Sequence, residues 1–100
     1  MKKFQLSLFI TFLSLTAFSQ TGIIRGVVLD ESNSEPIILT NVYMKGTSIG
    51  APTDMNGLFT ITKIPAGTYT LMITCLNYDT LSEEVTIKPG EILNKKYYLI

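Results

Sequence analysis

Ile64-Pro65-Ala66-Gly67-Thr68-Tyr69-Thr70-Leu71-Met72-Ile73-Thr74-Cys75 carries the plainest structural signal in the chain. Tyr69, Leu71, Ile73 and Cys75 alternate with Thr68, Thr70, Met72 and Thr74, a period of two that puts one set of side chains on each face of a strand. The Pro-Ala-Gly run before it reads as the turn that feeds this strand, with Gly67 expected to supply a positive φ. Upstream, Phe59 and Ile61 alternate with Leu58, Thr60 and Thr62, which predicts a partner strand. Gly46 to Gly57 holds three glycines and Pro52 around a short strand, and Pro52 marks that strand as an edge. From Ile38 to Lys45 the alternation returns, with Val42 and Met44 opposed to Asn41, Tyr43 and Lys45. The first strand sets Ile24, Gly26 and Val28 on one face and Arg25 on the other, and breaks at the turn-rich segment Asp30 to Pro36. Leu81–Lys88 and Ile92–Leu99 add two strands around Pro89-Gly90. Seven short strands with regular turns, and no sustained period of 3.6, predict an all-β, seven-stranded antiparallel sandwich without a helix in the mature chain.

The first residues differ in kind. Lys2 and Lys3 precede an uncharged, largely apolar run from Phe4 to Phe18, and Ala17 and Ser19 set small residues where a signal peptidase reads. The run is short for a membrane span and is diluted by Ser7, Thr11, Ser14 and Thr16. The expectation is a signal peptide over residues 1–19, cleaved after Ser19, and one domain over residues 20–100. The product is expected to be exported to the periplasm or the outer membrane, with no transmembrane span after cleavage. The sole cysteine, Cys75, lies far from the cleavage point, so no lipid anchor is expected there.

Composition narrows the function classes. At 46% hydrophobic and 16% charged residues, the chain has enough apolar surface for a core and is unlike a disordered tail. Past the signal, six basic residues face eight acidic ones, so no basic patch suggests nucleic acid. A single cysteine cannot form an internal disulfide. With no histidine anywhere, zinc hydrolysis lacks its usual ligands, and Cys75 or a serine lacks an imidazole base. Glu83 and Glu84 are adjacent on a strand and point apart, so they cannot converge on one bond. Asp54-Met55-Asn56-Gly57 is similar to the start of a calcium loop, but in that register Pro52 and Lys63 take ligand positions. It reads instead as a hairpin turn. No catalytic residue, metal ligand or cofactor is assigned, and the chain is read as non-catalytic.

In order, the segments Ile24-x-Gly26-x-Val28-x-Asp30, Glu35-Pro36-Ile37, Asn41-Val42-Tyr43, Lys45-Gly46-Thr47, Thr53-Asp54-x-Asn56-Gly57-x-Phe59, Ile64-Pro65-Ala66-Gly67-x-Tyr69-x-Leu71 and Asn77-Tyr78 resemble the carboxypeptidase-regulatory-like domain. The resemblance spans nearly the whole mature chain. It implies a transthyretin-like β-sandwich, agreeing with the strand count. It also implies a setting, since such domains commonly follow the signal peptide of TonB-dependent outer-membrane receptors. This chain has no plug or barrel, so it is expected to be a freestanding module or a fragment. Asn77 stands where the family usually has glycine, and asparagine can take the same left-handed conformation.

The residues singled out are few. Gly26, Gly57, Gly67 and Tyr69 are expected at structural turns, Tyr69 being a core residue whose hydroxyl caps its turn. Ile23, Val27 and Leu29, arranged around Arg25, would form an apolar stripe on the outward face of the first strand, a candidate partner face. Asp79-Thr80-Leu81 is similar to a bacterial O-glycosylation acceptor, with Thr80 as the site. Two function classes follow: a receptor's accessory domain that contacts an envelope protein, or a freestanding carbohydrate- or protein-binding module.

Overall fold

The structure, a computed structural model, describes residues 20–100; the expected signal segment lies outside them. Seven strands form two sheets: β1 (Thr21–Asp30), β2 (Asn41–Met44), β3 (Gly50–Pro52), β4 (Leu58–Pro65), β5 (Gly67–Thr74), β6 (Leu81–Ile87) and β7 (Ile92–Leu99). One sheet has the order β4-β1-β7, the other β3-β2-β5-β6. All pairings are antiparallel except one: β1 and β7, the first and last strands, run parallel from Ile23↔Ile92 to Asp30↔Leu99. That exception to the antiparallel expectation closes the three-stranded sheet with the two ends of the domain.

The alternations become burial. Leu71 and Ile73 of β5 are buried against Val42 and Met44 of β2, Val85 and Ile87 of β6, and Ile24, Val28, Phe59, Ile61, Tyr97 and Leu99 from the other sheet. Each such side chain, taken from water to full burial, contributes about 1.5–3 kcal/mol. Cys75 lies just beyond β5 and is half-buried against this core.

Gly26 is not a turn residue, contrary to expectation. It lies in the middle of β1, paired with Phe59 on one side and Lys95 on the other. A Cβ there would run into the Lys95 carbonyl and approach the Phe59 ring at 3.2 Å. The missing side chain is what lets Phe59 lie across the strand and stack on Tyr97, with ring centroids 6.3 Å apart.

The Asp54–Gly57 turn is also not a hairpin, since β3 and β4 belong to different sheets and the turn carries the chain between them. The Asp54 carboxylate accepts the Asn56 amide at 2.8 Å and the Leu58 amide at 3.0 Å, so it is spent on backbone. Gly57 has φ 73°, and a Cβ would meet the Val28 carbonyl oxygen at 2.8 Å.

β2 is shorter than the expected Ile38–Lys45. Leu39 takes φ 55°, ending the alternation, and Thr40 turns its hydroxyl inward to Thr53 Oγ1 at 2.6 Å. Both threonines are buried. Thr53 Oγ1 accepts the Thr40 amide at 2.9 Å and donates to the Ile37 carbonyl at 2.9 Å, so this polar pair inside the sandwich is satisfied.

Candidate functional site

The outward face of the three-stranded sheet is built by register. Val27 of β1 stands opposite Leu58 of β4 and Lys96 of β7, Arg25 opposite Thr60 and Asn94, Ile23 opposite Ile92, and Leu29 opposite Tyr98. Ile23 and Val27 are half-buried, while Leu58, Ile92 and Tyr98 are 40 to 49% exposed. A solvated face of an antiparallel sheet ordinarily shows polar side chains at these positions, so an apolar group here is unusual. Arg25 Nε donates to Asn94 Oδ1 at 2.9 Å, and the Lys96 ammonium lies 5.7 Å from the Tyr98 ring centre. The cations are thus held within the face, and no acidic residue of the three strands points to it.

Leu29 departs from the expected stripe. It faces outward by parity but is only 9% exposed. The segment Glu35–Ile37 folds back beside the end of β1, with Pro36 bridged to Leu29 and the Ile37 amide donating to the Val28 carbonyl. The chain's own loop covers that position, leaving Ile23, Val27, Leu58, Ile92 and Tyr98 as the apolar group.

Other singled-out residues fall elsewhere. Tyr69 is half-buried, and its hydroxyl donates to the Pro65 carbonyl at 2.6 Å across the β4–β5 turn. Gly67 in that turn has φ 155°, and a Cβ would meet only the Tyr69 ring, at 3.8 Å, so backbone conformation and not space limits the position. Thr80 is exposed before β6. Asn77 has φ 73°, the left-handed conformation anticipated for it.

Two polar groupings escaped the sequence reading. Between the sheets, Lys95 Nζ of β7 pairs with Glu83 Oε1 of β6 at 3.0 Å. Beside them the Tyr97 hydroxyl is buried with no hydrogen-bond partner among the described residues, and burial first, then the Glu83 carboxylate, push its pKa well above the usual phenol range. Strand parity could have found the pair, because Glu83 shares a face with Val85 and Ile87, and Lys95 with Tyr97 and Leu99.

The second grouping ties loop to strand. Asp30 accepts the Ser32 hydroxyl and amide on one oxygen and the Tyr78 hydroxyl, at 2.6 Å, on the other. Hydrogen bonds from the Ser32 side chain, then from Tyr78, hold the Asp30 carboxyl below its ordinary value, and the Tyr78 hydroxyl is raised above its own, first by that same bond to Asp30. A depressed carboxyl stabilises the fold above its unfolded pKa, and that stabilisation is lost as pH falls through the lower folded pKa. A raised phenol stabilises below its unfolded pKa, and that is lost as pH rises through the higher folded pKa. Thermal unfolding across pH should therefore show both limbs displaced in Tyr78→Phe, with stability falling away at a higher acid pH than in the parent. Coincident acid limbs would exclude the link.

The CarboxypepD_reg-like domain matches over residues 24–99, from the first core residue of β1 to the last of β7. The chain belongs to the CarboxypepD_reg-like domain family. Within that family setting, the TonB-dependent receptor SusC of Bacteroides thetaiotaomicron is 46% identical over 48 residues, covering 48% of this chain and 5% of the receptor. The CarboxypepD_reg-like chain thus spans a small fraction of that curated relative. A crystal structure of a type II cohesin–X-dockerin complex from Acetivibrio cellulolyticus matches with TM-score 0.53 and 32% identity, over 75% of this chain and 50% of that one. A putative carbohydrate-binding protein from Bacteroides uniformis matches with TM-score 0.61 at 20% identity, over 79% of this chain and 41% of that one, a likeness of fold. Of these two solved neighbours, one is a cohesin–dockerin complex and the other a putative carbohydrate-binding protein.

Proposed function

We propose that this chain is an exported, non-catalytic accessory module of a SusC-like outer-membrane receptor system, and that it docks an envelope protein through the outward face of β4-β1-β7. The observation that supports this most is the group Ile23, Val27, Leu58, Ile92 and Tyr98, an apolar face with two cations fixed inside it. Identity to a TonB-dependent receptor over 48 residues supports the setting. A protein suits this face better than a glycan, because sugar sites stack on exposed aromatic rings. Tyr98 is the one exposed aromatic among the described residues, and its ring lies beside Lys96.

Val27→Asp tests the face. The domain should stay folded, with a thermal midpoint within a few degrees of the parent, while capture of a SusC-class receptor protein from envelope extracts drops at least tenfold. Undiminished capture would remove the docking role, and unfolding would assign Val27 to the core. Export is tested separately: N-terminal sequencing of the mature protein should begin at Gln20, and retention of Lys2 and Lys3 would overturn the signal.

A further inference from the structure

The strand directions gather the β1–β2 loop (31–40), the β3–β4 turn (53–57), the β5–β6 loop (75–80) and Ile100 at one end of the sandwich. Four large apolar side chains there, Leu39, Met55, Leu76 and Ile100, are 74 to 86% exposed, far more than any on the outward sheet face. Exposed apolar groups scattered singly need no explanation, but this concentration on three loops and a strand end is not scattered.

Charge is sorted the same way. Among the described residues, Asp30, Glu31, Glu35, Asp54 and Asp79 lie at this end and no lysine or arginine does, whereas Lys45, Lys63 and Lys88 lie with Glu91 at the opposite end. The one ion pair among the described residues is Glu83–Lys95, so none of these five carboxylates has a cation partner among them. Between the loops is an open cleft of about 670 Å³, bordered by Asp30, Glu31, Ser32, Leu76, Tyr78 and Ile100. A second hollow of about 260 Å³ shares Asp30 and Tyr78 with it and extends to Glu35 and Ile38. Asp30 is locked by Ser32 and Tyr78, so the wall common to both hollows is a fixed carboxylate.

We propose that this end of the sandwich is a second docking site, for a polypeptide segment of a partner protein that alternates basic and apolar side chains. A lysine or arginine enters the larger cleft between Leu76 and Ile100, with its aliphatic stem on those two side chains and its cation toward Asp30 and Glu31. A second basic residue reaches Glu35 in the smaller hollow, and the apolar residues between them cover Ile38 and Leu39. Charge complementarity selects this occupant. An anionic lipid surface would be repelled by five carboxylates. A second copy of this chain offers Lys45, Lys63 and Lys88 at its opposite end, but among the described residues only one exposed large apolar side chain accompanies them, Ile92, against the four here. This site is independent of the sheet face.

The test uses the purified exported protein and two synthetic probes, acetyl-Leu-Lys-Leu-Arg-Leu-amide and its acidic counterpart acetyl-Leu-Glu-Leu-Glu-Leu-amide, followed by amide chemical shifts. The basic peptide should bind, move the resonances of residues 30–38 and 76–79, and lose at least tenfold in affinity against Glu31→Lys or Leu76→Ser, both exposed positions. The acidic peptide should not bind. Equal response to both peptides, no response to either at millimolar concentration, or shifts confined to the outward sheet face would overturn the proposal. So would Leu76-dependent binding to phosphatidylethanolamine–phosphatidylglycerol vesicles, which would assign the end to a membrane.

Discussion

Gly26→Val is expected to cost about 3 kcal/mol or more, a large share of the stability of a domain this size. The new Cβ would run into the Lys95 carbonyl, whose carbon lies 2.9 Å away, and both are backbone atoms of the paired strand. Neither can rotate aside as a side chain would, so relief requires β1 to separate from β7. β1 is the central strand of its sheet, and β7 carries Tyr97 and Leu99 into the core, so the damage would not stay local. Gly26→Ala brings the same Cβ and should lose nearly as much, which separates a clash from simple bulk. Chemical denaturation would measure both, and an alanine variant within about 0.5 kcal/mol of the parent, the range of an ordinary surface change, would refute the close approach.

Thr53→Val should cost about 2–4 kcal/mol, well above Thr40→Val, although the two threonines are equally buried partners. The asymmetry follows from their hydrogen bonds. Thr53 Oγ1 accepts the Thr40 amide and donates to the Ile37 carbonyl, so its loss strands a buried N–H. Thr40 Oγ1 reaches Ile37 at a weaker 3.3 Å, and its removal leaves Thr53 still bonded to both partners. Equal losses in parallel denaturation experiments would show that the two hydroxyls share the work.

What was legible in the sequence was local. Alternation in β5 and β4 located strands and faces because a half-buried strand must write its burial into every second residue. Direction and partnership were not legible: nothing in Ile92–Leu99 says that it will lie parallel to β1, 69 residues away at Arg25 and Asn94. Ile38 and Leu39 continued the apolar pattern of β2, and only the distant hydroxyl of Thr53 explains why the strand begins later. For the candidate site, parity placed Ile23, Arg25 and Val27 on the outward face. It could not foresee the fold-back of Glu35–Ile37 over Leu29, nor that Leu58, Ile92 and Tyr98 would complete the apolar group. Asp30 and Tyr78, separated by 48 residues, likewise met only through topology.

The ion pair between Glu83 and Lys95 has a consequence for behaviour at high concentration. β6 and β7 each end their sheets, and an end strand offers unpaired amides and carbonyls to any other chain that can add to it. Adding a strand to either would extend a two-layered ribbon, and the next molecule would have to pack against a charged side chain pointing into the layer. The remaining borders are blunted differently: β3 is three residues long and ends in Pro52, and β4 bulges where Lys63 takes φ 56° opposite the Gly22–Ile24 irregularity. Every border of the described sandwich thus carries an obstacle to the addition of a further strand, in sheets that no helix covers among the described residues.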